Sequence, residues 1–146
     1  MTIRIAAVLV LTAAIASGGA FAHRESQDSD DRAIRRVVEE AYVSGVFVAR
    51  DPAAVRRGFH PDFVLSVHDD GKPIVAPLDM WLERLNLDGV RSTDAVKHEF
   101  DRVDITGRTA VVKLEMHING RHVYTDYMGL YRFQDGWKIV NKVYED

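Results

Sequence analysis

The dipeptide Asn119-Gly120 constrains the fold most, because it separates two segments in which apolar and polar residues alternate. Asn and Gly both accept the positive φ angles of a tight two-residue turn. One face of the preceding segment, Thr109–Ile118, is apolar. It carries Ala110, Val112, Leu114, Met116 and Ile118. A further alternating segment, Arg121–Phe133, follows the turn. The pattern predicts an antiparallel hairpin with one face on a core.

The register of this hairpin predicts which side chains face the core. Counting outward from a two-residue turn places Ile118 opposite Arg121 and Met116 opposite Val123. The inward face of the second strand is then Val123, Thr125, Tyr127, Gly129, Tyr131 and Phe133. The next turn can be a two-residue loop, Asp135-Gly136, or a three-residue loop over 134–136. The two-residue loop would bury Lys138 and Lys142, and burial of a charged group costs much free energy. We therefore expect a three-residue loop over 134–136. That loop turns Trp137, Ile139, Asn141 and Val143 inward.

The same register predicts an apolar outer face on the sheet. It consists of Val111, Tyr124, Met128, Leu130 and Val140. Because apolar patches on the outside of a sheet are typical of partner surfaces, we expect a homodimer through this face.

The first half of the chain is predicted to be mainly helical. Apolar residues recur at helical spacing from Ile34 to Gly45, which predicts a long helix over 31–50. Asp51-Pro52 opens a short helix that stops at Gly58. A strand over 63–67 and a third helix beginning near Pro77 follow, before further strands over 96–105 and 137–144. The predicted class is α+β, with a curved, mainly antiparallel sheet wrapped around a long helix and two shorter ones.

The N-terminal residues resemble a secretory signal peptide. Arg4 precedes an apolar run, and Ala20-Phe21-Ala22 matches a cleavage pattern. We expect residues 1–22 to be removed, 23–30 to form a flexible leader and 31–146 to form one domain. The expected location is the periplasm or the extracellular medium, with no membrane contact after cleavage.

Composition excludes several classes of function. The chain has no cysteine, which rules out disulfides and thiolate chemistry. A net charge of −3 argues against a nucleic-acid partner. Because P-loop and dinucleotide glycine motifs are missing, we expect no cofactor. His117, His122 and Glu115 share a face near the hairpin tip, where a charged surface is a better interpretation than a metal site.

The order of elements and three short segments resemble the nuclear transport factor 2-like superfamily, which includes SnoaL-like cyclases. The segments are His60-Pro61-Asp62, Thr125-Asp126-Tyr127 and residues 136–142. Within the superfamily the chain is most similar to the lumazine-binding branch, and the resemblance spans 31–146. It implies a cone-shaped domain. Isomerases, cyclases, dehydratases and non-catalytic binders share this fold, so the resemblance assigns no reaction.

Ketosteroid isomerases of this superfamily imply a set of candidate catalytic positions. Tyr42 lies near their tyrosine position, and His68 with Asp69 lies near the position of the base. Their second acid falls on Gly129, while the predicted register puts Asp126 on the outer face. The constellation is therefore incomplete.

We expect a hydrophobic pocket inside the cone for an apolar or aromatic small molecule. The predicted lining is Tyr42, Phe63, Trp81, Met116, Thr125, Tyr127, Tyr131 and Asn141. The preferred hypothesis is binding or an accessory role without catalysis. One alternative is a lyase or isomerase acting on a small cyclic substrate, with His68 or Asp69 as base and Tyr42 as hydrogen-bond donor. A third hypothesis is a structural or partner-binding role with a filled cone.

Overall fold

The computed structural model describes residues 16–146. The first helix is α-helical over Ala16–Val37 (α1) and continues as a π-helix over Val38–Val48. Helices α2 (Pro52–Gly58) and α3 (Leu78–Leu85) are short. The strands are β1 (Phe59–Asp69), β2 (Lys72–Pro77), β3 (Val96–Thr106), β4 (Thr109–Ile118), β5 (Arg121–Phe133) and β6 (Gly136–Glu145). No helix in residues 16–146 is long and apolar enough to cross a membrane.

The six strands form one curved mixed sheet in the order β2-β1-β6-β5-β4-β3. Only β1 and β6 run parallel; the other neighbours are antiparallel. The sheet wraps around the first helix, whose inner side buries Ile34, Val38, Ala41, Tyr42 and Val46. The predicted α+β cone is confirmed. Strand β2, which pairs with β1, is missing from the sequence prediction.

Local signals place the short elements as expected. The Asp51 side chain accepts a hydrogen bond from the Ala53 N–H and caps α2, which has Pro52 at its first position. Gly58 allows α2 to approach the first helix, because a Cβ there would lie 2.2 Å from the Ala41 Cβ. The prediction that Asn119 and Gly120 form the hairpin turn is confirmed, with φ angles of 53° and 79°.

Residues 23–30, predicted as a flexible leader, are helical and form part of α1. Residues 24–29 are exposed on all sides, so this part of α1 has no apolar stripe that periodicity could detect. At its end, Asp30 accepts hydrogen bonds from Arg132 Nη1 and Trp137 Nε1, each at 3.0 Å. The predicted signal peptide lies largely outside the described residues, and the division of the chain stays a prediction.

Two β-bulges correct the predicted register. The pairs His117–His122 and Met116–Tyr124 leave Val123 as an extra residue in β5. The pairs Leu130–Ile139 and Gly129–Asn141 leave Val140 as an extra residue in β6. A shift of one residue exchanges the two faces of a strand, so each bulge reverses every side chain beyond it.

The loop between β5 and β6 is shorter than expected. Phe133 pairs with Gly136, which leaves Gln134 and Asp135 as the loop in place of the predicted residues 134–136. Trp137 and Ile139 still face the core, as predicted, because β5 has itself been turned over by its bulge. Beyond the second bulge, the inward positions are Lys142 and Tyr144 instead of Asn141 and Val143.

Candidate functional site

A polar cluster of Tyr42, Asp126 and Lys142 lies in the centre of the cone. The π-helix, β5 and β6 contribute one side chain each. The Tyr42 hydroxyl donates to Asp126 Oδ2 at 2.8 Å. Lys142 Nζ donates to Asp126 Oδ1 and to the Tyr42 hydroxyl oxygen, the latter at 3.1 Å. Each of the three side chains is thus hydrogen-bonded to the other two.

The cluster is enclosed by aromatic rings. Lys142 Nζ lies 4.2 Å from the centroid of the Tyr144 ring, 5.0 Å from that of Tyr42 and 5.9 Å from that of Tyr124. Tyr124 and Tyr144 meet edge to face at 5.3 Å. Lys142 is 3 % exposed and Asp126 is fully buried. Aromatic faces stabilise a cation, so these rings replace part of the water that the ammonium group has lost.

Burial changes the acid–base properties of two members of the cluster. Desolvation, and then the neighbouring Asp126 carboxylate, hold the pKa of the Tyr42 hydroxyl well above its usual value. Desolvation lowers the pKa of Lys142, and Asp126 only partly opposes this effect. Burial disfavours the charged form of each group. Tyr42 is therefore a persistent hydrogen-bond donor, and Lys142 is closer than an ordinary lysine to its nucleophilic neutral form.

Four of the predicted pocket residues lie inside the cone, where they pack against each other and their neighbours. Tyr42, Phe63, Trp81 and Met116 are buried. The rings of Tyr42 and Trp81 stack at 6.4 Å, and those of Phe63 and Trp81 lie 5.4 Å apart. These side chains fill the centre of the cone.

The other four predicted pocket residues lie on the outer face, which corrects their expected position. Tyr127 and Tyr131 are 43 % and 49 % exposed. The Thr125 hydroxyl donates to Glu115 Oε2 at 2.7 Å. Asn141 Oδ1 accepts from the Gly129 N–H at 3.0 Å. The bulge at Val123 reverses Thr125, Tyr127 and Tyr131, and the bulge at Val140 reverses Asn141.

The residues expected on the outer dimer face are mostly inside for the same reason. Met128 and Leu130 are buried in the core, and Tyr124 packs against it. Val140 is half-buried at the bulge. Of the predicted set, Val111 is exposed, at 52 %. The actual apolar stripe on the outer face consists of Val111, Tyr127, Tyr131 and Val143.

His68 lies at the open end of the cone and is exposed. It lines a groove of about 500 Å³ together with Val67, Ile74, Arg84, Tyr144, Glu145 and Asp146. Asp69 belongs to the end of β1, but its side chain is outside the described set. The predicted combination of His68 with Tyr42 does not form, because Tyr42 bonds to Asp126 and Lys142 in the interior. Tyr144 connects the two regions, since it lines the groove and also covers Lys142.

A second polar cluster lies near the hairpin tip. Glu115 Oε2 lies 2.8 Å from His122 Nε2, and its other oxygen lies 3.3 Å from Lys113 Nζ. Hydrogen bonds from Thr125, His122 and Lys113 hold the pKa of Glu115 below its usual value. Within residues 16–146, no group of three or more acidic or histidine side chains has the arrangement of a metal site.

Sequence reasoning missed the two charged members of the central cluster. The register counted from Asn119-Gly120 puts Asp126 on the outer face, and the cost of burying a lone ammonium argues against an inward Lys142. The available signal was their opposite charge: Asp126 and Lys142 stand 16 residues apart on adjacent strands, and an oppositely charged pair can be buried together.

Comparison with known proteins agrees with this architecture. The model of the family described as "Putative lumazine-binding" matches residues 29–145. The chain belongs to this family. An NTF2-like (nuclear transport factor 2-like) protein of unknown function from Silicibacter pomeroyi has a similar structure, with a TM-score of 0.68 and 19% identity. The similarity covers 82% of this chain and 97% of that one.

Two further relatives carry functional names. A crystal structure described as a "putative ketosteroid isomerase" from Shewanella frigidimarina matches with a TM-score of 0.53 and 18% identity, covering 75% of this chain and 92% of that one. The aldolase FrzH from a Cladobotryum species is 29% identical over 90 residues, which are 61% of this chain and 70% of that protein. The structural matches establish the NTF2-like fold of the family member described here.

Proposed function

We propose that this protein binds a small aromatic or cyclic molecule at the open end of the cone, above the Tyr42–Asp126–Lys142 cluster. The observation that carries the proposal is the burial of an ion pair beneath a layer of tyrosine rings. A buried ion pair is weak evidence of stability, because its desolvation often exceeds its attraction. Strongly perturbed acids and bases occur preferentially at functional sites.

The groove beside Tyr144 has a suitable size, although its lining is mainly polar. Its volume of about 500 Å³ lies within the range of small-molecule sites, roughly 300–1,000 Å³. Val67, Ile74 and the Tyr144 ring supply the smaller, apolar part of the lining. The larger, polar part comes from His68, Arg84, Glu145 and Asp146. A planar ligand could stack on Tyr144 and place a polar atom toward Lys142.

Native mass spectrometry of the protein purified from its own host tests the proposal. We expect a retained small molecule that is lost in Tyr144→Ala. The matched control is Tyr131→Ala, which removes a tyrosine from the outer face of the sheet. Loss of the ligand from both variants, or a wild-type protein without bound mass, would contradict the proposed site.

A lyase or isomerase activity on a small cyclic carbonyl compound is the second candidate. The bulge in β5 favours it, because the bulge brings Asp126 to the inner face, where it accepts from Tyr42. Asp126 then replaces His68 and Asp69 as the candidate proton acceptor, while Tyr42 keeps its role as donor. Similarity to an aldolase supports the lyase class.

Proton exchange tests this second candidate directly. The wild-type protein should catalyse deuterium incorporation next to the carbonyl group of cyclohexanone, as followed by NMR. Asp126→Asn should abolish the exchange, whereas Asp88→Asn at an exposed ion pair should not change it. Equal exchange rates with and without protein would exclude this activity for that substrate class.

We further propose that the mature protein is exported and forms a homodimer. Export is supported by the apolar N-terminal run and its cleavage pattern. The dimer is supported by the exposed stripe of Val111, Tyr127, Tyr131 and Val143.

A further inference from the structure

Lys142 differs from the other lysines in its surroundings. Lys72 and Lys97 are exposed, and Lys113 and Lys138 are half-buried with acidic partners at the surface. Lys142 instead lies among three tyrosine rings, with one carboxylate and one hydroxyl in contact with its amine. This combination holds an amine in place, supplies a proton acceptor and excludes bulk water.

We propose that Lys142 is a nucleophile that forms an imine with an aldehyde or ketone bound at the open end of the cone. The inference rests on the proposed binding function and names the ligand class as carbonyl compounds. Amines in desolvated pockets are the usual nucleophiles of this reaction. Asp126 and Tyr42 contact the reacting nitrogen and complete the set of groups that the reaction needs.

The proton balance of the step closes within the cluster. The Lys142 ammonium first transfers a proton to Asp126, and the lone pair of Nζ attacks the carbonyl carbon as the carbon–oxygen π pair moves to oxygen. Asp126 protonates that oxygen and then accepts a proton from nitrogen, which leaves a neutral carbinolamine. A second protonation by Asp126 releases water while the nitrogen lone pair forms the C=N bond. The iminium ion is then paired with the Asp126 carboxylate, so the net charge is unchanged.

Two features of the cluster assist these transfers. Desolvation lowers the pKa of Lys142, which favours the neutral amine that attacks. The Tyr42 hydroxyl lies 3.1 Å from Nζ and can donate to the carbonyl oxygen as negative charge develops there. Tyr42 is positioned for this role by its bond to Asp126.

Substrate must reach Nζ past Tyr144. This ring lies 4.2 Å from Nζ on one side and lines the groove on the other. Rotation of the Tyr144 side chain would connect the groove to the amine.

Reductive trapping of the full-length protein tests the proposal. Benzaldehyde and sodium cyanoborohydride at pH 7 convert an iminium ion to a stable benzylamine, which peptide mass spectrometry assigns to a residue. We expect labelling at Lys142 to exceed that at Lys138, since Asp126 and Tyr42 contact the Lys142 amine and can transfer the protons of the reaction. Lys138→Arg should keep the Lys142 adduct, and Lys142→Arg should lose it.

Labelling of the exposed lysines with none at Lys142 would overturn the inference. Quenching of the tryptophan fluorescence by benzaldehyde separates this result from failure of the binding function. Quenching without a Lys142 adduct would leave the binding proposal in place and exclude the nucleophile. Absence of both would contradict the two proposals together.

Discussion

The Lys142 ammonium group donates a hydrogen bond to Asp126 Oδ1 on the neighbouring strand, deep inside the cone. Neither residue directly faces the other in the ladder, since Asp126 pairs with Tyr144 and Lys142 pairs with Met128. The contact is therefore diagonal and depends on both β-bulges, which turn the two side chains inward. Removal of either partner would leave the other charge buried without compensation.

The first prediction concerns the stability of this cluster. Asp126→Asn and Lys142→Met should each lower the free energy of unfolding by about 3–5 kcal/mol, because each leaves one partner buried and unpaired. The triple variant Y42F/D126L/K142M should lie much closer to the wild type, since it removes the three polar groups together. Urea denaturation measures these differences. Asp88→Asn, at an exposed ion pair, should change stability by less than about 1 kcal/mol. A triple variant as unstable as the single ones would show that the ion pair is itself a main source of stability.

The second prediction concerns alkaline pH. The pKa of Tyr42 is raised in the folded state, so its contribution to stability is complete below the ordinary value of 10.0 and is lost as the pH rises further. The lowered pKa of Lys142 acts in the opposite direction, since the unfolded chain binds more protons below 10.5. Above pH 10 the wild type should therefore lose stability relative to Tyr42→Phe, by up to about 1.4 kcal/mol per pH unit. Thermal or urea denaturation between pH 8 and pH 11 measures the slope. Tyr131→Phe serves as the exposed control, and a Tyr42→Phe slope equal to that of the wild type would contradict the assignment.

The third prediction concerns the bulge that turns Lys142 inward. A Cβ at Gly129 would lie 2.7 Å from Asn141 Oδ1, which already accepts from the Gly129 N–H. Gly129→Ala should therefore destabilise the protein, by roughly 1–3 kcal/mol. In an Asn141→Ala background the same substitution should cost clearly less, because the crowded amide is gone. A double-mutant cycle by urea denaturation measures the coupling, and equal costs in the two backgrounds would refute the explanation.

The fourth prediction concerns assembly. The wild type should sediment as a dimer at micromolar concentration, because the outer stripe exposes Val111, Tyr127, Tyr131 and Val143. The Val111→Asp substitution would place a carboxylate in the proposed interface. It should produce a monomer, since burial of an unpaired carboxylate is costly. Val90→Asp is the control, because Val90 is 65 % exposed in the loop between α3 and β3. A wild-type monomer at these concentrations would exclude the dimer.

Much of the secondary structure could be predicted from local patterns. Helix α2 follows from its Asp51 cap and Pro52, and β4 and β5 have the predicted limits on either side of Asn119-Gly120. The residues predicted for the inner face of β4 are buried from Ala110 to Met116, because no bulge interrupts the alternation of apolar and polar residues in that strand. Strand β2 was not predicted, because its sequence, Lys72–Pro77, lacks a clear alternation of apolar and polar residues.

The inner face of β5 and the central cluster could not be predicted in the same way. Val123 and Val140 look like ordinary strand residues, and nothing local marks them as the extra residues of bulges. A register without the bulge at Val123 predicts that Tyr127 and Tyr131 line the pocket and that Asp126 lies outside the cone. With the bulge, the two tyrosines lie outside and Asp126 lies inside. The energetic argument against a buried lysine also failed, because it treated Lys142 without its partner.

The sequence by itself determined the elements, their order and the hairpin about Asn119-Gly120, because turn residues and side-chain periodicity act over a few neighbouring positions. The tertiary structure alone decided which face of β5, and of β6 beyond Val140, meets the helix. That choice depends on bulges and on pairing between Tyr42, Asp126 and Lys142, which lie far apart in the chain. A buried charge is tolerated only when the fold brings its partner to it, and this requirement becomes visible only when distant strands and the helix are assembled.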